Sequence, residues 1–175
     1  MKYDTNDSEK QTAMHVAHQM VTAARTAPKG CGVDKIKAFV LDGDDKKELS
    51  DEMRKLAVLP GLDFCIRDAI NVEDSHCIVL IGVENIPLGL ESCGFCGFQN
   101  CVNSVKSGSL CAFNTTDLGI AIGSAVSIAA DNRVDNRVMG DLQEDTCGIK
   151  SGCLFSAYLI QPGQQEENKG RGSPL

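Results

Sequence analysis

Four cysteines fall in one short stretch of this chain. Cys93, Cys96, Cys101 and Cys111 form a C-x2-C-x4-C-x9-C run. Thiolates are soft ligands, and four of them in a Gly-rich loop can hold an iron–sulfur cluster or a zinc ion. The two differ in consequence, because iron would carry electrons whereas zinc would only hold the fold together. Structural zinc sites usually pair two C-x2-C knuckles, but here the second pair is spread over nine residues, which favours the cluster. Zinc stays as the alternative, with a disulfide framework third. Gly94 and Gly97 allow a tight backbone and offer N–H groups to the sulfurs. Phe95, Phe98 and Phe113 are expected to shield the site, and Lys106 is the only cation between Cys93 and Cys111, so a dry site is expected.

Other residues carry less. His15 and His18 stand three apart, with no accompanying carboxylate–histidine motif, and are read as surface residues. Cys147 and Cys153 are at a spacing that is not a redox motif, so free thiols are expected. Cys31, Cys65 and Cys77 are scattered, and most such cysteines are small buried hydrophobes. Glycine-rich phosphate loops of the G-x-G-x-x-G or Walker type do not occur, and no Ser/His/Asp arrangement can be read.

The elements that must position the loop follow from pattern. Ser8-Glu-Lys-Gln11 has capping-box form, which predicts a helix starting there with an inner stripe of Ala13, Ala17, Met20, Val21 and Ala24. Pro28 ends it, since the residue before proline disfavours helix. Ile36 to Leu41 reads as a strand, closed by a turn at Asp42-Gly43-Asp44-Asp45, and Lys46 to Val58 as a helix burying Leu49, Met53 and Leu56. Phe64 to Ile66 suggests a short strand and Asp68 to Ser75 a helical turn. Cys77 to Val83 is apolar throughout, which predicts a central strand buried on both faces and leading directly into the cysteine loop. Asp117 is expected to cap a buried helix from Leu118 to about Asn132. Gly119 and Gly123 within it imply a close neighbour, tight packing inside the chain being the plainest source. Leu154 to Ile160 reads as a last strand.

Composition sets outer limits. The 175 residues fit one domain, expected to span 1–160 with its iron–sulfur loop at 91–113; the polar, Gly/Pro-rich stretch 161–175 is expected to be a disordered tail. A net charge of -7 works against binding nucleic acid or anionic membrane. The longest apolar run, Leu118 to Ala130, is too short to span a bilayer. With no secretory leader read at the start, nine cysteines point to metal in a reducing cytoplasm.

Five segments also recur in order in one family: Ala23-Ala-Arg-Thr-Ala-Pro-Lys-Gly30, Gly32-Val-Asp34, Phe64-Cys-Ile-Arg-Asp68, Cys93-Gly-Phe-Cys-Gly-Phe98 and Asp117-Leu-Gly-Ile-Ala-Ile-Gly-Ser124. Over about residues 12–139 the chain resembles the ferredoxin-domain-containing proteins of anaerobic bacteria and archaea. That resemblance implies a [4Fe-4S] cluster on Cys93, Cys96, Cys101 and Cys111. The loop alone is similar to small four-cysteine cluster domains attached to corrinoid iron–sulfur proteins and electron-transport subunits. A weaker similarity, in element order, is to the nitroreductases, α+β flavoproteins that dimerise around FMN. It implies a nitroreductase-like central sheet flanked by helices, a homodimer, and a flavin-approaching loop at Ala27, Pro28, Lys29 and Gly30. The arginine-rich opening that grips the flavin phosphate in nitroreductases has no counterpart before Ser8. From Gly140 onward the chain departs from the family pattern. The functional expectation is electron transfer to a redox partner protein or a small-molecule acceptor, extending to a flavin-dependent reductase. A non-enzymatic module in a larger complex, holding structural zinc or an oxygen-sensing cluster, is the rival.

Overall fold

In the strand Cys77–Glu84 every residue but the last is buried, so the sheet needs cover on both faces. The computed structural model describes residues 2–142 and 153–161, and helices supply that cover. In chain order the elements are α1 (Thr5–Thr26), β1 (Ile36–Leu41), α2 (Gly43–Leu56), α3 (Phe64–Asp74), β2 (Cys77–Glu84), α4 (Cys101–Lys106), α5 (Ala112–Asp131), β3 (Asp135–Leu142) and β4 (Cys153–Gln161). The sheet is antiparallel, in the order β1-β2-β4-β3. Alternation along β2 divides the core. Cys77, Val79, Ile81 and Val83 pack with Ala17, Met20, Ala121 and Ala125 of α1 and α5, while Ile78 and Leu80 pack with Leu49, Met53, Ala69 and Val72 of α2 and α3. The result is the expected α+β architecture of a central sheet between helical layers.

Several elements differ from the sequence reading, each for a local reason. Helix α1 begins at Thr5 rather than Ser8, because the Asp4 carboxylate caps it by accepting from Asp7 N–H at 2.8 Å. Its buried stripe is Ala13, Val16, Ala17, Met20 and Ala24, so Val16 joins the expected set while Val21 is only partly buried beside it, and the helix stops before Pro28. The acidic run expected as a turn is instead the first turn of α2, where Asp44 and Asp45 meet the positive end of the helix dipole. The short strand expected at Phe64–Ile66 is part of α3. Phe64 and Ile66 are exposed, and the buried positions Cys65, Asp68, Ala69 and Val72 follow helical spacing. β1 and β2 start where the pattern put them, and β4 extends the expected last strand by one residue at each end.

Helix α5 starts at Ala112, so Asp117 lies inside it rather than at its cap. It runs beside α1 through Ala121, Ala125 and Ala129, and the Ser124 hydroxyl donates to Ala23 O at 3.0 Å. Gly119 and Gly123 do not serve that contact. A Cβ built at either meets nothing within 4 Å, so packing within the described chain does not account for them. Cys65 and Cys77 are buried as expected, and burial pushes the Cys77 thiol up to about 11; Cys31 is exposed. Cys147 and the tail expected beyond Gln161 lie outside the described residues. No described helix is long and apolar enough to cross a membrane.

Candidate functional site

The cysteine loop leaves the end of β2 and returns as α5, and two asparagines close its base. Asn85 Oδ1 accepts from Cys111 N–H at 3.3 Å, and the buried Asn114 side chain donates to Glu84 O and Ile86 O at 3.0 and 3.1 Å. Between them Gly94–Gly97 forms a turn, with Gly97 N–H on Gly94 O at 2.9 Å. Gly97 has φ +84, a left-handed conformation that L side chains rarely adopt, so glycine is needed there. Helix α4 then begins at Cys101, capped by Asn100, whose side chain accepts from Asn103 N–H at 3.0 Å. Pattern reading missed both α4 and the two closing asparagines. The N-x-x-N spacing at Asn100 was a signal for α4, whereas contacts from β2 to α5 leave no local trace.

The loop brings all four predicted ligands to one place. Cys93, Cys96, Cys101 and Cys111 line one small cavity, walled also by Leu88, Phe95 and Phe113. The backbone N–H of Phe98 and the Ser104 hydroxyl hold the Cys96 thiol below its ordinary value, against the opposing effect of burial. Cys111 is buried, while Cys93, Cys96 and Cys101 are partly accessible. Among the described residues no three His, Cys, Asp or Glu side chains converge closely enough to hold one metal ion. The aromatic shield is thinner than expected. The Phe95 and Phe113 rings lie 5.3 Å apart, but Phe95 is 65% exposed and Phe98 does not line the cavity.

The loop at Ala27–Gly30 adjoins this cavity through a shared wall. A Cβ on Gly30 would sit 3.0 Å from Phe113 Cδ1 and 3.6 Å from Leu88 Cδ1, so only glycine fits there without displacing Phe113. Ala27 is buried, and Lys29, only 5% exposed at its side chain, turns back to donate to the carbonyls of Ala24, Arg25 and Ala27 at 3.3, 2.6 and 2.7 Å. Lys29 thus caps the C-terminus of α1 and does not project as a free cation. Gly30 N–H donates to Asp117 Oδ1 at 2.8 Å, which is why Asp117 is buried within α5. A carboxylate that looked like a helix cap is a tertiary pin. Replacing it with Leu leaves the Gly30 N–H without a partner and is expected to cost about 1.5–3 kcal/mol, against less than about 1 kcal/mol for Asp117→Asn, which keeps an acceptor. Equal urea midpoints for the two variants would show that the bond does not stabilise the loop. His15 and His18 are exposed on α1, as expected.

Beside the loop, Asp34 pairs with Arg25 at 2.8 Å and lies 3.8 Å from Lys29. Burial raises the Asp34 pKa, but the Ile36 N–H, the Arg25 guanidinium and Lys29 outweigh it and leave the group below its usual value. A carboxylate depressed in the folded state stabilises the protein above its unfolded pKa, near 4, and loses that contribution as pH falls through the folded value. The urea midpoint should therefore drop on going from pH 5 to pH 3, and drop less in Asp34→Asn. An equal drop in both proteins would remove Asp34 from the acid response.

Three comparisons place this arrangement among known proteins. A family described as uncharacterized proteins containing a ferredoxin domain matches residues 107–144. An uncharacterized protein of Archaeoglobus fulgidus is 35% identical over 147 residues, covering 79% of each chain. Among solved structures, the hypothetical oxidoreductase YcnD of Bacillus subtilis superposes with a TM-score of 0.56 at 14% identity, over 91% of this chain and 61% of its own. The FMN-dependent nitroreductase of Clostridium difficile R20291 gives 0.54 at 12% identity, over 87% of this chain and 78% of its own. This chain thus spans less than two thirds of YcnD. Identities this low speak for the fold alone, and the fold is nitroreductase-like. With its sequence relative, its matched segment and its four-cysteine loop in accord, the chain belongs to the family of uncharacterized proteins containing a ferredoxin domain.

Proposed function

We propose that this protein carries electrons through one [4Fe-4S] cluster held by Cys93, Cys96, Cys101 and Cys111. The observation that supports this reading most is that four cysteines spread along residues 93–111 line a single cavity. Their disposition bears on the choice between cluster and zinc. A zinc ion draws its sulfurs to about 2.3 Å from one point, whereas a cubane takes one thiolate on each of four separate irons. The C-x2-C-x4-C-x9-C spacing, with its second pair spread over nine residues, favours the second. Bound there, the cluster supplies a one-electron couple, and its thiolates stay attached in both oxidation states.

The residues present then have definite tasks. The four thiols bind, the Phe98 N–H and the Ser104 hydroxyl steady the Cys96 sulfur, and Phe95 and Phe113 thin the water over the cavity. Asn85 and Asn114 fix the loop to the sheet, so the sulfurs are set by a rigid strand. We take residues 1–160 as the working domain, in a reducing cytoplasm, with a redox protein or a small-molecule acceptor as partner.

A second reading, a flavin-dependent reductase formed by a homodimer, rests on the wall shared by Gly30 and the cysteine cavity. FMN at Ala27, Pro28, Lys29 and Gly30 would lie beside the cluster. The FMN-dependent neighbour supports it as far as fold goes. Lys29 is not available to grip the phosphate, so backbone groups would have to do so.

The deciding experiment is the iron, zinc and acid-labile sulfide content of protein purified without oxygen, with its visible spectrum. Near four irons and four sulfides per chain is expected, with a broad shoulder in the visible. Zinc without sulfide would replace the carrier by a structural module. Added flavin bands would favour the reductase.

A further inference from the structure

Helix α4 is turned the opposite way from an ordinary surface helix, which buries its apolar residues and shows its polar ones. Here Ser104 is 1% exposed, while Val102 and Val105 are 60% and 58% exposed. The two valines stand three apart and so share one face. Local hydrogen bonds bring further apolar residues beside them. The Cys101 thiol donates to Leu90 O at 3.7 Å, which holds Leu90 at the first turn of α4. At the other end Gly108 N–H donates to Val105 O at 3.0 Å and Ser109 N–H to Ser104 O at 3.2 Å, so the chain turns back and Leu110 follows at once. Leu90, Phe95 and Leu110 are exposed, and Leu90 and Phe95 also line the cysteine cavity. The apolar surface therefore adjoins the candidate metal centre. Exposed apolar patches of this kind mark interaction sites.

Charge decides what can cover it. Between Asn85 and Cys111 the only charged residues are Glu91 and Lys106, so this stretch is neutral within a chain of net charge -7. An anionic membrane requires a cluster of cations, and one lysine does not make one. A small molecule in the cavity would leave the outer valines bare. A second copy would set two identical centres face to face, and an electron gains nothing by moving between them.

We propose that the face formed by Leu90, Phe95, Val102, Val105 and Leu110 docks a redox protein through an uncharged, apolar surface beside that partner's own one-electron centre. The inference rests on the electron-carrier reading above and adds the class of partner and the place where it sits. One electron passes between the centre in the cysteine cavity and a flavin or metal group of the partner. One is oxidised as the other is reduced, and no bond is made or broken. Electron-transfer encounters use small interfaces, and Phe95 supplies the aromatic residue that the core of such a patch favours. Attraction that is apolar rather than charged responds little to salt.

The test is anaerobic stopped-flow oxidation of the reduced protein by two acceptors. One is a blue-copper protein whose copper lies beneath an uncharged apolar face, and the other is ferricyanide. Wild type is compared with Val102→Gln/Val105→Gln and with Val58→Gln, an exposed position just past α2 and outside the loop, and iron and sulfide are measured on each. With the blue-copper protein the double variant should react about tenfold more slowly or worse, because two apolar side chains no longer leave water on docking. The wild-type rate should stay flat between about 0.05 and 0.5 M salt. Ferricyanide needs no docking face, so its rate should not move, and Val58→Gln should match wild type with both acceptors. A blue-copper rate that is absent in wild type or unchanged in the double variant would overturn this inference and leave the carrier reading intact. So would a parallel fall with ferricyanide or a loss of iron, since the valines would then support the centre itself. A wild-type rate that drops steeply with salt would overturn it in favour of charge steering. A wild-type dimer that the double variant dissolves in sedimentation would give the face to a second copy. Wild-type protein without iron would overturn both readings.

Discussion

Cys111→Ala protein purified without oxygen is expected to hold almost no iron yet to unfold close to the wild-type midpoint. The reason is a division of labour at this residue. Its backbone does the structural work, accepting from Thr115 N–H in the first turn of α5 and donating to Asn85, while the residue also lines the cavity. Loss of a mere supporting group at a metal site costs about 10–100-fold in affinity, and loss of a ligand should cost more. Cys93, Cys96 and Cys101 should behave alike when replaced one at a time. Cys31→Ala is the control, because that thiol is exposed and does not line the cavity, and it should keep its full iron. Iron measured by mass spectrometry decides the matter. Full iron in Cys111→Ala would take this residue out of the ligand set, and loss in Cys31→Ala would move the site.

The second large effect concerns stability. Ile81→Ala is expected to destabilise the protein by about 2–5 kcal/mol, the range for truncating a fully buried isoleucine. Ile81 is wholly buried in the middle of β2, facing the layer of α1 and α5, where the alanines of both helices leave little slack for collapse into the gap. Phe39→Ala is the comparison. Phe39 sits on β1 opposite Leu80, but 42% of it is exposed, so its loss should cost clearly less despite the larger side chain. Urea unfolding of both variants supplies the test. An Ile81→Ala cost under about 1 kcal/mol would mean that β2 is not the centre of the core.

What the sequence disclosed and withheld can be traced to the range of the signals. β1, β2 and the end of α1 were legible because strand runs and the proline rule act over a few residues. The four ligands were legible for the same reason, since their spacing is itself the motif. Phe64–Ile66 misled because three apolar or small residues have no period, and only the burial of Cys65, Ala69 and Val72 together reveals a helix. Asp117 misled in another way. An aspartate before an apolar run signals a cap, but here its carboxylate serves Gly30, far away in sequence. The wall between Gly30 and Phe113 was hidden for that reason too, although both residues stood within segments already singled out. The direction taken by Lys29 was equally out of reach, because a lysine beside a glycine reads the same whether it meets a ligand or turns back on its own helix.

The strand order β1-β2-β4-β3 has a consequence in time. β4 is the last strand of the described chain to be made, yet it lies between β2 and β3. During synthesis β2 has β1 to pair with, but its other edge stays open until Cys153–Gln161 emerge, roughly 4–15 s later at about 5–20 residues per second. For that interval the buried strand Cys77–Glu84 shows an unpaired edge, and its nascent loop already carries four reduced thiols. A cell making this protein must keep both from wandering, the edge from other strands and the sulfurs from oxidants, until the keystone arrives.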